Sequence, residues 1–125
     1  MKKSIVSEMA PEAIGPYSQA VELNGFLYVS GQLPIERTTG AFIPGGVKEQ
    51  TAQVLRNISH ILKEAGYSLD DVLKSTVYLA DIVDFVAMNE VYASFFKQPY
   101  PARVAYAVSA LPKGALVEID VVAAK

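Results

Sequence analysis

The 125-residue sequence has no cysteine, no tryptophan and a single histidine, His60. Without thiols the chain cannot form disulfide bonds or a Cys–His catalytic pair, and metal sites lose their most frequent ligands. His60 falls on the polar side of a predicted helix, where we interpret it as a solvated surface residue, so no serine has an imidazole to activate it. The glycines form neither a P-loop nor a dinucleotide-binding fingerprint. We therefore predict no metal and no cofactor.

An excess of charge of one sign and long apolar runs are also missing. Thirteen acidic and eleven basic side chains are interspersed and give a formal charge of −2. Nucleic-acid-binding proteins carry basic patches, and none is visible here, so a nucleic acid partner is not predicted. No uncharged run approaches the roughly 18 residues of a transmembrane helix, and the chain reaches Glu8 before a secretory signal could form. The sequence predicts a cytoplasmic protein without a membrane partner.

What the sequence does contain is a regular alternation of strand and helix patterns. Its length predicts one domain, residues 1–125. Asn24-Gly25 between two runs of strand-forming residues is typical of a β-hairpin with a type I′ turn. The clearest helix has apolar residues at helical spacing and a glycine, Gly66, at its end. The predicted elements are strands 17–23, 26–31, 73–79, 102–108 and 116–123, a weak first strand near Ile5, helix 47–65, and a second helix that Asp84 caps and Pro99 and Pro101 end. This order predicts an α+β fold, a mixed β-sheet with two helices packed on one face.

The late strands are apolar on both sides. In the strand 102–108, Val104 and Tyr106 point one way and Ala105 and Ala107 the other. Two helices can cover only one face of the sheet, and a solvated face should carry alternating polar residues. We therefore expect other copies of the chain to cover the second face.

Two charged residues lie inside these apolar strands. Arg103 begins one, and Glu118 lies between Val117 and Ile119 in the other. An unpaired charge is expensive to bury, so each should meet the other, a ligand or water. A guanidinium matches the geometry of a ligand carboxylate. The alternative is a buried Arg103–Glu118 salt bridge with no further task, and Asp120, on the same side as Glu118, is interpreted as structural or solvated.

Other candidate site residues give weaker indications. Tyr17 follows a Gly-Pro bend, and Gly31, after Ser30, permits close backbone approach at the end of a strand. Asn89 lies between apolar positions of the second predicted helix. Taken one at a time, these residues have plainer interpretations: a strand-start aromatic residue, a strand terminator and a solvated asparagine.

Together, these hints follow a known pattern in order and spacing. The motifs that carry it are Ile14 to Ala20, Tyr28 to Pro34, Asp84 to Tyr92, Pro101 to Arg103, and Leu111 to Ile119. They resemble the RidA family, also called the YjgF family, over essentially the whole chain. The resemblance implies a chorismate-mutase-like domain that forms homotrimers, with a ligand cleft at each subunit interface and no cofactor.

The resemblance also implies roles for the candidate residues. Arg103 would hold the carboxylate of a 2-imino or 2-enamino acid, and Glu118 would position or activate water. The residues implied to line the cleft or contact the substrate are Tyr17, Ser30, Gly31 and Asn89. Ala105 occupies a position where many bacterial relatives have cysteine, which removes any thiol-based reactivity but does not affect imine hydrolysis.

The leading functional hypothesis is hydrolytic deamination of reactive 2-enamino or 2-imino acids, such as 2-aminoacrylate, to 2-keto acids and ammonia. An iminium carbon is already electrophilic, so arginine, carboxylate and oriented water suffice. One alternative is a non-catalytic regulator that binds a small carboxylated metabolite such as a 2-keto acid. The second is an endoribonuclease or translation inhibitor, which the net charge of −2 and the lack of a basic patch disfavour.

Overall fold

The computed structural model describes residues 1–125 and contains one mixed β-sheet with two α-helices packed on one face. The six strands of the sheet have the order β1-β2-β3-β8-β6-β7, and only β6 and β7 are parallel. The elements are β1 Lys3–Ile5, β2 Ala20–Leu23, β3 Phe26–Gln32, β4 Ile35–Glu36, β5 Ala41–Phe42, α1 Val47–Glu64, β6 Val72–Leu79, α2 Phe85–Phe95, β7 Ala102–Ala107 and β8 Val117–Ala124. Short 3₁₀ helices occupy Leu69–Asp71, Ile82–Asp84 and Pro112–Gly114. The predicted α+β class is confirmed.

The β2–β3 hairpin turns at Asn24 and Gly25, as predicted. Both residues have positive φ, 52° and 78°, which a type I′ turn requires. The predicted start of the first hairpin strand at Tyr17 is wrong, because regular pairing of β2 with β3 begins only at Ala20. The residues before Ala20 instead form a segment without regular secondary structure, which the sequence pattern does not distinguish from a strand.

Helix α1 begins at Val47 as predicted, ends at Glu64, one residue before the predicted end, and lies over the centre of the sheet. The Glu49 side chain accepts a hydrogen bond from the Gly46 backbone N–H (2.8 Å) at its start, and Gly66, at φ 84°, follows its end. The fully buried apolar side chains of α1 are Val54, Leu55, Ile58, Ile61 and Leu62. His60 is partly buried rather than solvated.

Helix α2 packs against α1, and Met88, Tyr92 and the following Phe96 are buried in the core. Asp84 is the N-cap residue of α2, as predicted, but its side chain makes no capping hydrogen bond. Asp81 caps the preceding 3₁₀ turn instead, accepting a hydrogen bond from Val83 N (3.0 Å). The predicted end is also too late, since the helix stops at Phe95, before either proline.

The second face of the sheet carries no element of this chain. Large apolar side chains are exposed there, among them Phe26, Tyr28, Val104 and Tyr106. We call this surface the open face. No helix of the structure has the length and apolar character that crossing a membrane needs.

Candidate active site

Arg103 lies on β7, at the edge of the sheet, on the side that the helices cover. In the parallel ladder it stands opposite Ser75, which is fully buried and shares a 2.6 Å hydrogen bond with the Tyr92 hydroxyl. The Arg103 guanidinium donates to Asn89 Oδ1 (2.6 Å) and lies 4.8 Å from the centre of the Tyr92 ring and 5.6 Å from that of Phe85. Arg103 takes part in none of the chain's salt bridges. A partly buried cation with neutral partners is available to an anionic ligand.

The guanidinium opens onto a cavity of about 450 Å³, within the range of small-molecule sites. Its lining residues are Asn89, Tyr92, Ala93, Tyr100, Pro101 and Arg103. We call this cavity the arginine pocket. The structure therefore brings Arg103 and Asn89, two of the predicted site residues, into one pocket.

Glu118 lies on the open face, in the middle of the sheet, opposite Tyr78 of β6. Its carboxylate packs against Gly31, where a β-carbon would collide with it. It forms no salt bridge and no side-chain hydrogen bond within the chain, and burial, followed by the negative charge of Asp120, raises the pKa of Glu118. A carboxylate with raised pKa and no partner is suited to accepting a proton.

A bulge in β3 makes room for that carboxylate. Val29 pairs with Val121 and Gln32 with Ile119, so Ser30 and Gly31 together stand opposite one residue of β8. Extra residues in a strand redirect side chains and are frequent beside functional sites. The close backbone approach expected at Gly31 is confirmed, and the group that approaches is Glu118.

Tyr17 and Ser30 lie beside Gly31, the residue that the Glu118 carboxylate contacts. Tyr17 is about half exposed and shares a small cavity with Gly31. The Ser30 hydroxyl donates to the Ser18 carbonyl oxygen (2.6 Å), which ties β3 to the segment that carries Tyr17. We call Tyr17, Ser30, Gly31 and Glu118 the glutamate cluster.

Within one chain Arg103 and Glu118 do not meet, so the salt bridge given as the alternative interpretation does not form. Strand β6 lies between β7 and β8, and the registers place Arg103 on the helix side and Glu118 on the open side. The candidate residues thus form two separate groups.

Sequence reasoning missed the residue that anchors the N-terminal segment. Gln19 is buried and accepts a hydrogen bond from Ser7 N (2.7 Å), while its amide nitrogen donates to the carbonyl oxygens of Ser7 (3.1 Å) and Pro11 (2.8 Å). Arg37 adds a 2.6 Å hydrogen bond to the Ala10 carbonyl oxygen. A polar residue directly before a buried strand position was the available indication. No group of three or more His, Asp or Glu side chains that could hold a metal ion is present.

The fold, the arginine pocket and the glutamate cluster define a class: an α+β protein with a pocket of small-molecule size that contains an arginine side chain. The sequence model of the family described as Endoribonuclease L-PSP matches residues 7–125. The chain therefore belongs to this family, which is the RidA family.

Individual relatives match over almost their whole length. A RutC family protein of Pyrococcus horikoshii is 55% identical over 125 residues, covering 100% of this chain and 99% of that protein. The 2-iminobutanoate/2-iminopropanoate deaminase of Capra hircus is 50% identical over 123 residues, covering 98% of this chain and 90% of its own. The crystal structure of YyfA from Yersinia pestis, described as a member of the conserved Rid protein family, superimposes with a TM-score of 0.97 at 47% identity and full coverage of both chains.

Proposed function

We propose that this protein is an imine hydrolase that converts small 2-imino or 2-enamino acids into 2-keto acids and ammonia. The observation that carries the proposal is the partly buried guanidinium of Arg103, which has no carboxylate partner and opens into the arginine pocket. The goat relative, 50% identical, is named 2-iminobutanoate/2-iminopropanoate deaminase, which supports the same chemistry. The absence of cysteine supports the cytoplasm as its location.

The reaction needs a held substrate and a water molecule with a proton acceptor. Arg103 binds the substrate carboxylate and leaves the iminium carbon exposed to attack. Glu118 takes a proton from water as its oxygen bonds to that carbon, giving a tetrahedral amino alcohol. Glu118 passes this proton to the amine nitrogen and then takes the hydroxyl proton of the amino alcohol as the carbon–nitrogen bond breaks, so that the keto acid and ammonia leave. No cofactor takes part in these steps.

One chain does not assemble this site, because Arg103 and Glu118 lie on opposite sides of the sheet. We infer that the protein is a homotrimer, as the family resemblance implies, with each cleft formed between two subunits. The exposed apolar residues of the open face support contact between copies there. In such an assembly, the arginine pocket of one subunit adjoins the glutamate cluster of the next.

A coupled assay tests the proposed activity. An amino-acid oxidase generates 2-imino acids in the presence of semicarbazide, which traps the imine, and catalytic amounts of the protein should divert the imine to keto acid. Arg103→Ala should lower kcat/KM by roughly 10–100-fold or more, since hydrogen bonds to a charged group are worth about 1.5–3 kcal/mol each.

The matched control is Arg56→Ala, an exposed arginine on α1, which should retain activity. Full activity of Arg103→Ala would refute the role of the guanidinium. A wild-type protein that binds a 2-keto acid but turns over no imino acid would refute the enzyme and leave the metabolite-binding regulator.

A further inference from the structure

Asp120 and Glu118 are neighbours on the open face of β8. They are two residues apart in a strand, so both side chains point to the same side. Tyr78 lies opposite Glu118 on β6, but its hydroxyl donates to Asp120 Oδ2 at 2.7 Å. Tyr78 thus stands beside one carboxylate while it binds the other.

This hydrogen bond fixes a negative charge close to Glu118. Donation to Asp120, together with burial, raises the pKa of Tyr78 to about 12, so the phenol keeps its proton at neutral pH. Glu118 has no such donor. Two like charges on one strand face disfavour ionisation of the group that lacks hydrogen-bond donors.

We propose, on the basis of the proposed function, that Asp120 held by Tyr78 is a positioning residue that acts through Glu118. Its fixed charge makes Glu118 a stronger proton acceptor. Glu118 can then take the proton from the attacking water and keep it until it passes to the departing amine. Asp120 itself touches neither the substrate nor the water.

The other titratable groups around Glu118 do not supply this effect. They are Tyr106 on β7, Tyr28 on β3, Tyr17 in the N-terminal segment, and Lys74 near the far end of β6. Asp120 is the one charged group of the chain whose charge adds to burial in raising the pKa of Glu118. An Arg103 from a second copy would lower the pKa of Glu118 instead. That contribution would be the same in the Asp120 and Tyr78 variants, so it does not affect their comparison.

Carbon-13 NMR titration of the assembled protein, labelled at the glutamate carboxyl carbons, tests the proposal without any substrate. The Glu118 signal is assigned by its loss in Glu118→Gln. We expect Asp120→Asn to move the Glu118 midpoint to lower pH, because the neighbouring charge is gone. Tyr78→Phe keeps the Asp120 charge, so the Glu118 midpoint should not fall in that variant. The exposed control Asp70→Asn should leave the midpoint unchanged.

The same variants separate this proposal from the proposed function. The acid limb of kcat/KM for imine hydrolysis should move with the NMR midpoint in Asp120→Asn. An unchanged midpoint in that variant, or an equal fall in Tyr78→Phe, would overturn the role of Asp120. A shifted midpoint in a protein without imine turnover would leave that role intact and refute the deaminase.

Discussion

At the scale of single residues, neutral partners keep Arg103 available. An amide oxygen and two aromatic faces orient the guanidinium and leave its charge uncompensated. A carboxylate in place of Asn89 would occupy the same donors and compete with an anionic ligand. The neutral side chain of Asn89 therefore helps the arginine pocket to bind an anionic ligand.

Gly31 has no side chain, and this leaves room for the Glu118 carboxylate in the glutamate cluster. In Gly31→Ala the new methyl group would displace the Glu118 carboxylate, which is the flexible end of its side chain. We expect the free energy of unfolding to change by less than about 1 kcal/mol, while misplacement of the carboxylate lowers kcat/KM roughly 10–100-fold. Urea denaturation and the coupled assay measure the two quantities.

Gly46→Ala is the matched control for that substitution. Gly46 also has negative φ, and an added β-carbon there would lie 3.9 Å from its nearest neighbour. Activity should be retained. If Gly31→Ala kept wild-type activity, the close approach of Glu118 would have no part in the reaction.

The sequence identified the charged candidates because each interrupts an apolar strand. It could not place them relative to one another, because the side of a residue depends on which strands pair and in what register. The insertion of β6 between β7 and β8 separates Arg103 from Glu118, and no local pattern encodes that insertion. The hydrogen bond of Arg103 to Asn89 was likewise hidden, because it joins residues of different elements.

At the scale of elements, the segment 7–18 depends on one buried amide. It has no strand or helix to hold it, yet it carries Tyr17 of the glutamate cluster. Gln19 and Arg37 supply the hydrogen bonds that regular pairing would otherwise provide.

Gln19→Leu should therefore loosen this segment. The substitution leaves buried backbone groups of Ser7 and the partly buried carbonyl of Pro11 without partners, which should lower the free energy of unfolding by roughly 2–4 kcal/mol. Urea denaturation measures the change. The exposed Gln98→Leu should stay within about 0.5 kcal/mol of wild type. Equal values for the two variants would show that the amide does not hold the segment.

Elements with a local determinant were predictable. The hairpin followed from Asn24-Gly25, and the end of α1 from Gly66. Two features lacked a strong local pattern: the β4–β5 hairpin, whose strands have two residues each, and the Asp81 cap, which precedes a 3₁₀ turn rather than a helix. The buried polar residues of α1 were also missed, since Asn57 donates to the backbone carbonyls of Leu33 and Ile35, which are distant in the sequence.

At the scale of the whole molecule, the arginine pocket and the glutamate cluster lie on opposite sides of the sheet. The arginine pocket opens at one edge, under α2, and the glutamate cluster lies on the open face. In the proposed homotrimer, a second copy resting on that face would bring the two together and would cover the exposed aromatic residues at the same time. Stability and activity would then depend on the same contact.

Mixed assemblies test this arrangement. Arg103→Ala and Glu118→Gln should each have strongly reduced activity alone. Unfolding and refolding the two together should restore about a quarter of the sites, because each site needs one intact residue from each of two subunits. Each variant refolded by itself is the control. A mixture without activity would mean that both residues serve one subunit's own site.

The glutamate cluster depends on the extra residue that the bulge adds to β3. Ser30 and Gly31 together oppose the single residue Asp120, so the strand holds one residue more than regular pairing needs. Deleting either would give an unbroken ladder and would close the gap into which the Glu118 carboxylate fits. The shortened protein would have a more regular strand and no glutamate cluster. Among natural variants of this chain, we therefore expect no single-residue insertion or deletion between positions 29 and 32.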